Sequence, residues 1–136
     1  MVVAERGLAD AEALASIRAW ASVGVPPART GLAPTVAIPK ALGRAGLEVT
    51  DVDLWEINEA FASMCVGTTR LLGIDEERTN VLGSGCSIGH PIAMTGARMI
   101  ISLVHELRRR GGGTGVAAMC AGGGMSTAVM LDVPAP

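Results

Sequence analysis

The sequence contains no tyrosine, one phenylalanine and two histidines in 136 residues. It also lacks an excess of charge of either sign: 11 Lys and Arg stand against 13 Asp and Glu, a net charge of -2. That balance offers no electrostatic footing for a nucleic acid or another polyanion. The only basic run, Arg108-Arg109-Arg110, reads as a solvated helix C-terminus, where cations oppose the helix dipole. No apolar run approaches the roughly 20 residues of a membrane span. The opening residues, MVVAERGLADAEA, turn polar after four positions, so no secretory leader is expected. Three cysteines cannot all pair with one another, and a reducing, cytoplasmic setting is the expectation.

Apolar residues make up 49% of the chain, enough for one core, and the length suits one domain spanning residues 1–136. The 18 glycines cluster at 83–89 and 111–124, which points to tight loops and close backbone approach. Residues 1–4 read as the end of a strand, 7–16 as weakly helical and 17–25 as a strand. A three-proline loop is expected over 26–34. A helix over 35–45 is closed by Gly46, with Pro39 tolerable only in a first turn. A buried strand at 51–58 precedes a helix bearing Phe61, Met64, Cys65, Thr68, Leu71 and Leu72, ended by Gly73. A short strand at 80–82 and a tight loop at 83–89 lead into a long helix from about Pro91 to Arg110. Its apolar face is Met99, Ile100, Leu103, Val104 and Leu107. Strands at 116–120 and 127–133 close the chain around the Gly122–Gly124 turn. This alternation predicts a layered α/β domain with a mostly buried sheet.

Three segments carry chemistry. In the first, NVLGSGCSIGHPIAMTGAR at 80–98, Gly89 allows a tight turn and Pro91 favours a helix start. His90 is therefore expected to sit rigidly at a helix N-terminus, where the dipole favours a neutral ring. Such a ring can accept a proton or donate to a developing oxyanion; a structural histidine capping the loop fits the pattern equally well. His105, near the arginines, reads as a surface residue. In the second segment, Cys120 ends the apolar run AAMC and meets three glycines. Bare backbone N–H groups there can lower a thiol pKa and build an oxyanion hole; the alternative is a small buried hydrophobe. Cys65 reads as core, and Cys86 as lining or packing. In the third, Asn58-Glu59 follows a hydrophobic strand, where α/β folds place ligand groups, unless Asn58 merely caps the following helix. Cys86, His90 and Cys120 give only three ligands and no paired CxxC, which disfavours a metal. GSGCSIG at 83–89 is not a GxGxxG and has no acidic residue at the end of a second strand, which disfavours a dinucleotide.

Taken together, NEAFA at 58–62, the Gly-His-Pro loop and CAGGG at 120–124 resemble the C-terminal domain of the thiolases in order and spacing, across essentially the whole chain. NEAFA looks like the classical branch. The resemblance implies a thiolase-like C-terminal domain with a mixed five-stranded sheet covered by helices. It implies acyl transfer between coenzyme A thioesters, in fatty acid metabolism, with no covalently bound cofactor. The histidine matching His90 activates a nucleophilic cysteine. With a water held by the asparagine matching Asn58, it also forms an oxyanion hole. The cysteine matching Cys120 is an acid/base, and the N–H matching Gly122 contributes to a second oxyanion hole. Ala60 and Phe61 line the substrate side.

The family's nucleophilic cysteine and most of its coenzyme A contacts belong to regions with no counterpart in residues 1–136. The expected partner is therefore an N-terminal thiolase half on another chain, or a homo-oligomer, joined through an exposed apolar interface. Without it the chain is expected to be inactive. Ala93 and Ser126 stand where the family commonly has glycine. The alternative reading is a non-catalytic remnant or interaction module; the joint presence of Asn58, His90 and Cys120 argues against it.

Overall fold

The computed structural model describes residues 3–5 and 12–136. Four strands, β1 (Ser16–Gly24), β2 (Leu54–Ile57), β3 (Gly113–Ala121) and β4 (Met125–Val133), form one sheet in the order β1-β4-β3-β2. β4 runs antiparallel to both neighbours, and β2 pairs parallel with β3. Helices α1 (Pro34–Ala45) and α2 (Ala62–Leu72), the one-turn α3 (Gly85–Ile88) and the long α4 (Ile92–Arg109) complete the chain.

The sheet is covered on both sides. On one face Ile38, Ala41 and Leu42 of α1 and Met64 and Cys65 of α2 pack with Trp55, Ile57, Val116, Ala118 and Met130. On the other, Met99, Leu103, Val104 and Leu107 of α4 pack with Leu54, Ala117, Leu131 and Val133. Each such side chain contributes about 1.5–3 kcal/mol relative to exposure. Double coverage explains why all four residues of β2 are buried. Strand alternation then sends Trp55 and Ile57 toward α1 and α2, and Leu54 and Glu56 toward α4.

Gly46 (φ 69) and Gly73 (φ 66) end α1 and α2 in the left-handed conformation, as expected. Several expectations are corrected. Among the described residues the sheet has four strands, not five. Residues 80–82 form no strand, because Asn80 turns the backbone at φ 52 and only Thr79 bridges to Trp55. The loop over 26–34 is mostly a 3-10 helix, Pro27–Leu32, and Pro34 opens α1. Pro39 lies inside α1; its ring sits on the exposed side, and the buried residues of α1 outweigh one missing backbone bond. Residues 49–51 are a 3-10 turn, so β2 is shorter than expected. Residues 3–4 and 12–15 are neither strand nor helix; the rest of 1–4 and 7–11 lies outside the described residues.

Candidate active site at the C-terminal edge of the parallel strands

Parallel pairing brings the ends of β2 and β3 to one edge, where Asn58 N donates to Ala118 O at 2.9 Å. The Asn58 side chain is fully buried. Its Nδ2 lies 3.3 Å from His90 Nε2, so the structure joins two of the three expected residues. It also excludes Asn58 as the cap of α2: that position is Phe61, without a side-chain cap. Gly89 (φ 92) and Pro91, the N-cap of α4, present His90 as the sequence predicts. Asn58 Nδ2 is also 3.5 Å from His90 Nδ1, and Thr95 Oγ1 stands 2.7 Å from that nitrogen and donates to Pro91 O at 3.0 Å. Asn58 Oδ1 is buried with no hydrogen-bond partner among the described residues. Such a carbonyl costs about 1–3 kcal/mol until a donor reaches it.

Polar contacts behind the site hold this arrangement. Asn80 Nδ2 donates to Ile57 O (2.9 Å) and to Glu59 Oε1 (3.2 Å), and Glu59 Oε2 accepts from Cys86 N at 3.0 Å. Gly85 is required here: a Cβ would sit 2.5 Å from Glu59 O. From the α4 side, Arg98 Nη1 pairs with Glu56 Oε2 at 2.5 Å, and Nη2 donates to buried Ser84 Oγ at 3.3 Å. Burial pushes the Glu56 carboxyl up to about 7, against the opposing pull of the Arg98 guanidinium.

Sequence reasoning passed over Thr95, Asn80 and the Glu56–Arg98 pair. One signal was present: a glutamate inside the otherwise apolar stretch LWEI needs a buried partner.

Cys120 reaches the same edge from the opposite face of the sheet, with its Sγ 3.0 Å from Met64 Sδ. Among the described residues no hydrogen bond joins it to His90 or Asn58. Burial raises the thiol pKa, with its own backbone N–H acting the other way. This reverses the lowering expected from the glycine run, because Gly122 and Gly123 are exposed in the turn. Ser126, the cross-strand partner of Cys120, is buried and donates to Met119 O at 2.7 Å. Ala60 is half-buried against the α1 and α2 side of the core. Cys65 is core, its thiol pushed up to about 11 by burial; Cys86 and His105 are exposed. Arg109 and Arg110, read as solvated, pair with buried Glu106.

Large apolar side chains are exposed in the segments around the site: Ile92 (84%), Phe61 (64%), Ile88, Met94 and Met125. No helix among the described residues is long and apolar enough to cross a membrane.

The family model described as "Thiolase, C-terminal domain" matches residues 11–133. The chain is 45% identical over 136 residues to a 3-ketoacyl-CoA thiolase of Bacillus subtilis (strain 168), covering 98% of this chain and 35% of that protein. It is 48% identical over 122 residues to the peroxisomal 3-ketoacyl-CoA thiolase B of Mus musculus, covering 89% and 29%. Among solved structures, human mitochondrial 3-ketoacyl-CoA thiolase superposes with a TM-score of 0.87 at 43% identity, over 90% of this chain and 31% of that one. A thiolase of Ascaris suum in complex with coenzyme A gives 0.86 at 36% identity, over the same shares. The chain thus spans only about a third of the length of these relatives.

Proposed function

The chain belongs to the thiolase family, and from that premise we propose that it forms the C-terminal wall of a thiolase active site acting on coenzyme A thioesters. The wall handles the thioester oxygen and the α-carbon proton. The nucleophilic cysteine comes from outside residues 1–136, on a separate chain or elsewhere on the same polypeptide. The exposed apolar residues around His90 and Cys120 are the contact surface for that half.

The observation that carries this reading is the 3.3 Å pairing of Asn58 with His90 at the sheet edge that Cys120 shares. His90 Nε2 takes the proton of the incoming thiol. In cleavage the thiolate attacks the 3-keto carbonyl, and the bond to the α-carbon breaks to leave an acyl group on sulfur and an acetyl-CoA enolate; in condensation it attacks an acyl-CoA thioester carbonyl, and the C–S bond breaks to expel coenzyme A thiolate. In each case the new Nε2–H faces the oxyanion that forms. A water donating one proton to Asn58 Oδ1 has its second free for the same oxygen. Cys120, its pKa raised by burial, is a neutral thiol. In the cleavage direction it protonates the α-carbon of the departing acetyl-CoA enolate; in the condensation direction it first gives its proton to the leaving coenzyme A thiolate, and the thiolate so formed removes the α-carbon proton. The Gly122 N–H in the adjoining turn and the half-buried Ala60 and exposed Phe61 border the substrate. The cytoplasmic setting fits three free thiols.

The test is complementation. The chain alone should show no thiolysis of acetoacetyl-CoA. Mixing it with the portion of the Bacillus subtilis thiolase that it does not match should restore turnover. Robust turnover by the chain alone, or none in the mixture, contradicts the proposal.

A further inference from the structure

Thr95 is fully buried, five residues beyond His90, and has been assigned no role above. Its Oγ1 has two neighbours: Pro91 O at 3.0 Å, one turn back along α4, and His90 Nδ1 at 2.7 Å. A hydroxyl carries one proton, and a carbonyl oxygen can only accept. With that proton on Pro91 O, the hydroxyl meets Nδ1 as an acceptor, so Nδ1 must carry the ring proton. Asn58 Nδ2 stands beside both ring nitrogens, 3.3 Å from Nε2 and 3.5 Å from Nδ1, so the Thr95 hydroxyl on Nδ1 is what distinguishes them.

We infer that Thr95 is a positioning residue that locks neutral His90 in the Nδ1–H tautomer. Nε2 is thereby kept unprotonated. The role deepens the proposed function and rests on it in one respect: a base that receives a thiol proton through Nε2 must present that nitrogen unprotonated. In the competing arrangement, Thr95 donates to Nδ1, Nε2 carries the proton and a rotated Asn58 amide accepts it through Oδ1. That ring has no free nitrogen facing the site.

The tautomer is directly observable. The chain has two histidines, so nitrogen NMR of the full chain labelled at histidine gives two ring systems, and His105→Gln assigns them. Above the pH at which the ring is neutral, His90 should show a pyrrole-like Nδ1 and a pyridine-like Nε2. Thr95→Ser should preserve that pattern. Thr95→Val, similar in shape but without the hydroxyl, should move the population toward the Nε2–H form that an unconstrained ring prefers. A pyridine-like Nδ1 in the unaltered chain overturns the inference, even if Thr95→Val does not fold. So does an unchanged pattern in a folded Thr95→Val protein. No turnover is measured, so a failure of the thiolase reading leaves this result intact.

Discussion

Asn80 stands beside Ile57 as a neighbouring strand would: its Oδ1 accepts from Ile57 N at 2.8 Å and its Nδ2 donates to Ile57 O at 2.9 Å. A single side chain, from the segment 80–82 that was expected to be a strand, thus satisfies the edge of β2. The left-handed backbone at φ 52 turns the side chain into that position, and asparagine tolerates it better than most residues.

Asn80→Ala should therefore cost about 2–3 kcal/mol, since the buried Ile57 N–H loses its partner and Ile57 O keeps only the 3.4 Å bond from Ser84 Oγ. Asn80→Asp keeps the acceptor, loses the donor and sets a second carboxylate beside Glu59, so it should cost at least as much at neutral pH. Urea unfolding midpoints check both. A loss below about 0.5 kcal/mol for Asn80→Ala would show that the edge does not depend on this side chain.

The two ends of the Gly122–Gly124 turn should respond differently to alanine. A Cβ on Gly124 (φ 88) would collide with the Val25 carbonyl oxygen, which lies against the turn because Val25 N donates to Gly124 O at 2.7 Å. Gly122 has open space and no left-handed backbone. Gly124→Ala should cost more than about 2 kcal/mol, and Gly122→Ala less than about 0.5 kcal/mol. Thermal denaturation of the pair separates them; equal effects would contradict the turn geometry.

Two carboxyls should shape stability against pH in separate windows. Hydrogen bonds from Arg109 and Arg110 hold Glu106 down to about 2, while burial holds Glu56 up to about 7; the ordinary value for both is 4.5. As pH falls from 4.5 to 2, the unfolded chain takes up a proton that folded Glu106 refuses, and stability is lost. As pH rises from 4.5 to 7, folded Glu56 keeps a proton that the unfolded chain has released, and stability again falls. Glu106→Gln should flatten the acid limb alone, and Glu56→Gln the limb between 4.5 and 7 alone. Urea midpoints across both windows decide; limbs that persist in the matching variants would refute the assignment.

The parts of this fold legible in the sequence are those governed by short-range periodicity. The apolar spacing of Met99, Leu103, Val104 and Leu107 marked α4, and Gly46 and Gly73 marked the ends of α1 and α2. His90 and Asn58 were legible because both lie in segments of unusual composition at element junctions. Thr95 and Arg98 were not, because on a helix they look like ordinary polar positions. Their meaning comes from α4 crossing β2, which sets Arg98 against Glu56 and folds Thr95 back onto His90. The lowered pKa expected for Cys120 failed for a related reason: the thiol packs beside Met64 and the glycines turn outward.

The central claim is that Asn58, His90 and Cys120 work as one site once a nucleophile is supplied. The most direct measurement is acetoacetyl-CoA thiolysis in the complemented mixture with His90→Ala and with Cys120→Ser. Removing a base or a positioned acid typically costs 10²- to 10⁴-fold in rate, so each variant should lose at least about a hundredfold while still binding the added half. Either variant turning over at the unaltered rate would contradict the account.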